Sequence, residues 1–166
     1  MGIPRDKDAK RFYQAAKQRL EDADFLLEAA RTLAAVYLSG YCVECMWKAL
    51  IITQAGKNKK DEVLESFAGS KAHNFDWLRA LYDKHGGPPP SKKDKELTSA
   101  FVTVGGWGTH LRYDPGTMPE DAATEFRCGR SGGRMSRPGA GTMPEDAATE
   151  FRDAVRLIRA WADKRL

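Results

Sequence analysis

Cysteine and histidine are both scarce in this chain, three of each among 166 residues. An odd number of cysteines leaves no complete disulfide framework and suggests a reducing compartment, so a cytoplasmic protein is expected. Cys42 and Cys45 share a Cys-Val-Glu-Cys spacing with no second pair and no nearby histidine, which argues against a zinc site. On an apolar helix such cysteines serve as small core residues. Other chemistry is missing as well. No glycine-rich phosphate loop precedes a lysine, there is no nucleophile elbow and no His-Glu-x-x-His, and no paired-carboxylate site is legible. Neither a metal nor a cofactor is expected. The start, MGIPRDKDAKR, is charged and has no apolar h-region, so no signal peptide is expected. A large surplus of one charge is lacking too: the net charge is +4 and the pI near 9.0, which permits contact with nucleic acid without arguing for it. With 42% apolar and 30% charged residues, the composition is that of an ordinary soluble protein. The length suits a single domain, 1–166, with a real core.

What is present is organised around one run, Leu33 to Ile52, LAAVYLSGYCVECMWKALII. It has roughly the length of a membrane span, but it carries Glu44 and Lys48 together with Ser39 and Gly40, which points to a buried helix and no membrane. Glu44 and Lys48 are four residues apart, on one helix face, with the acid on the N-terminal side as the favourable pairing requires. Two charges in an apolar helix are costly unless paired. They are candidates for a buried structural pair, a dimer-interface pair or part of a binding site.

Helical periodicity dominates the remainder. From Asp8 to Arg31 the residues Phe12, Ala16, Leu20, Ala23, Leu27 and Ala30 define one face of a long amphipathic helix. A break near Thr32 joins it to the central helix as an antiparallel hairpin. Gly56 and the run KNKKD end that helix. A short helical piece is expected over 61–68 and another helix over 75–85. The stretch GGPPP at 86–90 stops any helix. Ser91 and Asp94 predict a capping box that opens a helix running to Val104. His73 and His85 sit at helix ends, where structural roles are the default.

The loop GGWGTHLRYDPG brings His110, Arg112 and Tyr113 close together in sequence. Imidazole, guanidinium and phenol on a glycine-rich loop are able to hold a phosphate and move a proton. The alternative is an aromatic-anchored loop whose Arg112 pairs with an acid such as Glu44.

GTMPEDAATEFR occurs at 116–127 and again, letter for letter, at 141–152. The second copy runs without a break into DAVRLIRAWADKRL, while the first runs into CGRSGGRMSRPGAG. The segment 128–152 reads as a duplicated insert, with 128–140 flexible. The second copy is favoured as the start of the final helix, because the first would have to cross Gly129, Gly132 and Gly133.

The segment FYQAAKQRLEDADFLLEAARTLAAVYLSGYCVECMWKALI resembles the first two helices of the HEPN domain (higher eukaryotes and prokaryotes nucleotide-binding). AHNFDWLRALY resembles that family's following helix, and GWGTHLRYDP its Trp…Leu-Arg-Tyr loop. The resemblance implies an all-α, up-and-down bundle of four to five helices, commonly a homodimer. It further implies a nucleotide- or RNA-binding component of a toxin–antitoxin or defence-type module, often paired with a minimal nucleotidyltransferase. Many members are RNases whose signature is an arginine followed, after four to six residues, by a histidine. Here only Arg79…His85 has that spacing, with Ala80 after the arginine, and near the expected place His110 precedes Arg112. An RNase with a divergent site of His110, Arg112 and Tyr113 is therefore the second expectation. Glu44, Lys48 and Arg112 are the candidate binding residues.

Overall fold

The computed structural model describes residues 3–91, 93–113 and 143–166, with Arg112 by its backbone alone. Among them lie six α-helices and no strand: α1 (Lys7–Glu28), α2 (Thr32–Ala55), α3 (Lys60–Ser66), α4 (Phe75–Lys84), α5 (Lys95–Val104) and α6 (Glu145–Asp163). Three short 3-10 turns accompany them, Lys57–Lys59, Ser70–His73 and Thr109–Tyr113. The expected all-α bundle is present, with five main helices and the short α3.

α1 starts where Asp6 supplies a cap, its Oδ1 accepting from the amides of Asp8 at 2.8 Å and Ala9 at 3.1 Å. Its buried face is Ala9, Tyr13, Ala16, Leu20, Ala23 and Leu27. The face expected from periodicity is thus corrected at both ends. Phe12 is only half-buried and turns toward α2 and α3, where its ring meets Phe67 edge-on at 5.7 Å. Ala30 lies beyond the helix in the left-handed region, φ 55°, and helps reverse the chain into α2.

α2 is the axis of the molecule. It packs against α1, α3, α4, α6 and the Thr109–Tyr113 turn, which is why its apolar residues are not confined to one face. Although long and apolar enough to cross a membrane, it is 83% buried inside the protein over its most apolar stretch. Trp47 on α2 meets Tyr82 of α4, Phe101 of α5 and Trp161 of α6 at centroid distances of 5.4, 5.8 and 5.5 Å. Aromatic contacts of this kind add to the area they bury. One side chain of the central helix therefore clamps three others. Gly56 ends α2 at φ 67°, a conformation that favours glycine.

α4 is capped by Asn74, which accepts from Trp77 N, and α5 by Asp94, which accepts from Leu97 N at 3.0 Å. The expected Ser91 cap is corrected: Ser91 Oγ accepts from Lys93 N instead, and the helix begins four residues later. A carboxylate at the first turn meets the helix dipole as well as the amide, so Asp94 is the stronger cap.

The second copy of the repeat heads α6. Met143, Ala148 and Phe151 are buried, and Thr32 Oγ1 donates to Met143 O at 2.9 Å, tying the start of α2 to the approach to α6. Arg152 and Arg156 reach Asp24 on α1 at 3.6 and 2.8 Å. The first copy, and the 128–140 segment expected to be flexible, lie outside the described residues.

Candidate functional site

Glu44 and Lys48 sit one turn apart on α2, where burial is deepest, with side-chain exposures of 3% and 7%. Lys48 Nζ donates to Glu44 Oε1 at 2.7 Å. The ammonium also lies 5.8 Å from the centroid of Phe12 and 5.5 Å from that of Phe67. Ring faces on two sides and a carboxylate ahead supply what water would have given this cation. Lys48 is thereby held inside the protein.

The second oxygen of Glu44 has a partner that sequence reasoning missed. His73 Nδ1 lies 2.9 Å from Glu44 Oε2. An ionised carboxylate only accepts, so Nδ1 carries the proton and donates, which fixes the tautomer of the neutral ring. Between Glu44 and His73 lie 28 residues, α3 and two 3-10 turns, and nothing in the local sequence points one at the other. The only signal was Glu44 itself, a carboxylate with more acceptor capacity than one lysine uses.

Around this pair an aromatic wall closes one side. The edge of Tyr41 faces His73 at 6.4 Å and Trp107 at 5.3 Å. Trp107 stacks on Phe75 at 5.0 Å and Tyr37 at 6.1 Å, and its indole N–H donates to Tyr37 O at 3.1 Å. Gly40 makes this possible, because a Cβ there would fall 2.1 Å from Trp107 Nε1. With Leu111 buried as well, the Thr109–Tyr113 turn is pinned onto α2.

His110 and Tyr113 are exposed on that pinned turn. Gly108 leaves room for the His110 ring, whose Nδ1 would stand 2.8 Å from a Cβ at that position. Arg112 belongs to the same turn by its backbone. The carboxylate of Glu44 is occupied by Lys48 and His73. Arg79 is exposed on α4 and His85 caps its end. Burial, then Lys59 and Lys84, hold the His85 imidazole below its ordinary value. Cys42 and Cys45 are buried thiols, and burial pushes Cys45 up to about 11. Such a sulfur is a poor nucleophile and a poor ligand.

A hollow lies elsewhere, a groove of about 830 Å³ between α5 and α6. Its walls carry Glu96, Glu145, Asp146, Glu150 and Asp153. Carboxylates in that number repel a polyanion, so size does not make the groove the candidate site for one. Lys71, in contrast, is exposed two residues before His73, and Lys57 and Lys59 are exposed on the turn after α2.

Neither the curated proteins nor the solved structures yield a match to the chain. Residues 9–75 match the family model of the HEPN domain. That span contains Phe12, Tyr41, Glu44, Lys48, Phe67, Lys71 and His73, and ends at Phe75.

Proposed function

From the match of residues 9–75 to the HEPN domain model, we propose that the chain binds a nucleotide or an RNA strand at the surface where His73 emerges. The observation that carries this reading is the Glu44–His73 contact of 2.9 Å. A buried carboxylate holds a half-buried imidazole in one orientation, beside an aromatic wall and an exposed lysine. Oriented polar groups next to aromatic rings suit a base and its sugar. In this reading the protein is a cytoplasmic homodimer, a component of a toxin–antitoxin or defence-type module working with a minimal nucleotidyltransferase. A thermal-shift screen with nucleotides and short RNAs tests the binding. A rise in Tm that grows with ligand concentration is expected, and no shift with any of them overturns the reading.

A second reading is favoured by the exposure of His110 and Tyr113 on one pinned turn. There, His110, Arg112 and Tyr113 form a ribonuclease site, with the arginine holding the phosphate and the imidazole moving the proton. RNA cleavage that disappears in both His110→Ala and Arg112→Ala supports it. Cleavage that persists in either variant points to another site.

A further inference from the structure

The His73 side chain keeps 37% of its exposure, whereas Glu44 keeps 3%. The ring therefore has a buried edge, which faces the carboxylate, and an open one. With the Nδ1 proton committed to Glu44, the neutral imidazole has one polar atom left, Nε2, and that atom only accepts. No hydrogen-bond partner for Nε2 occurs among the described residues.

We infer that His73 lets this protein distinguish ribonucleotides from deoxyribonucleotides, with Nε2 accepting a hydrogen bond from the ribose 2′-hydroxyl. The inference rests on the binding function proposed above. Phosphate oxygens and base carbonyls have no proton to offer an acceptor. Base N–H groups do, but they are the same in both polymers. The 2′-hydroxyl is the donor that RNA has and DNA lacks. Glu44 is then a positioning residue: it touches no ligand, but its ionised carboxylate keeps the proton on Nδ1 and leaves Nε2 as the acceptor. Lys48 completes the arrangement by occupying the other oxygen at 2.7 Å, which keeps the carboxylate pointed and charged.

Fluorescence anisotropy with the full chain tests this at about pH 8, above the ordinary imidazole range. The probes are labelled oligouridylate and oligodeoxyuridylate of equal length. One hydrogen bond at a half-open site predicts a preference for the ribose form of about fivefold. His73→Asn retains an amide that donates to Glu44 but lacks an acceptor at the position of Nε2. It is expected to bind both probes alike, the ribose probe losing its advantage over the deoxy probe. Glu44→Gln, whose amide no longer dictates the tautomer, is expected to shrink the preference between the two probes. Circular dichroism confirms that each variant is folded. Should His73→Asn fail to fold, Glu44→Gln carries the test alone. Equal binding of both probes by the unmodified protein overturns the inference and leaves the binding function standing. A preference that survives in a folded His73→Asn variant also overturns it. Binding of neither probe overturns the binding function itself.

Discussion

Glu44 is buried, and its environment gives both carboxylate oxygens a partner. Lys48 and His73 take one oxygen each, and two phenylalanine rings shelter the lysine. Removing one partner leaves an uncompensated charge, and Lys48→Met is expected to cost about 3 kcal/mol in urea denaturation. The double variant Glu44→Leu with Lys48→Met removes both charges and is expected to recover most of that loss. A double variant less stable than Lys48→Met would show that packing, not charge, dominates here. Gly40 is the other position where a single atom decides. A Cβ would overlap the Trp107 indole, so Gly40→Ala is expected to cost about 1–3 kcal/mol as overpacking does. It should also displace Trp107 toward water, seen as a red shift in tryptophan fluorescence.

Helix ends rather than helix faces carry the pH response at the scale of elements. Asp6 caps α1 and also binds Lys60 at the start of α3, at 2.8 Å, with Asp8 reaching the same ammonium at 2.6 Å. The hydrogen bond from Lys60, against a smaller effect of burial and with help from the capped amides, holds the Asp6 carboxyl below its ordinary value. The unfolded chain therefore binds a proton at Asp6 more readily than the folded one. Stability from this group is present above about pH 4 and is lost as pH falls through the folded value. Asp6→Ala is expected to lose about 1 kcal/mol at neutral pH through the missing cap. Its acid denaturation profile should also be flatter below pH 4 than that of the unmodified chain. An unchanged acid limb would remove Asp6 from the account. His85 responds in the same sense, at higher pH. Held below its ordinary value, it disfavours the folded state as pH falls below about 6.5, when the unfolded chain takes up the proton first.

For the whole molecule, the repeat predicts that one helix is supplied twice. We propose that 128–152 is a duplicated insert and that its removal joins Arg127 to Asp153 and leaves α6 whole. Met118, Ala123, Phe126 and Arg127 then stand where Met143, Ala148, Phe151 and Arg152 now make their contacts. The shortened chain is expected to keep its helical circular dichroism per folded residue and a Tm within about 5 °C, because surface loops change stability only slowly with length. A large loss of helix would refute the insert reading.

Much of this protein was legible in its sequence, because short-range physics governs what could be read. Periodicity located the helices, an apolar run with no polar face marked α2 as the axis, and the four-residue spacing of Glu44 and Lys48 implied their pairing. A helix boundary shifts where two caps compete, as at Ser91 and Asp94. The partner of Glu44 depended on tertiary structure alone. His73 reaches it only after α2 ends, the chain turns through α3 and a 3-10 turn places the imidazole beside the carboxylate. Pinning of the His110 turn through Trp107 and Gly40 is of the same kind. Local sequence sets which residues form helices through backbone geometry and capping, over a few residues at a time. Which side chains meet across helices depends on how those helices pack, and that was decided by the burial of one shared core around α2.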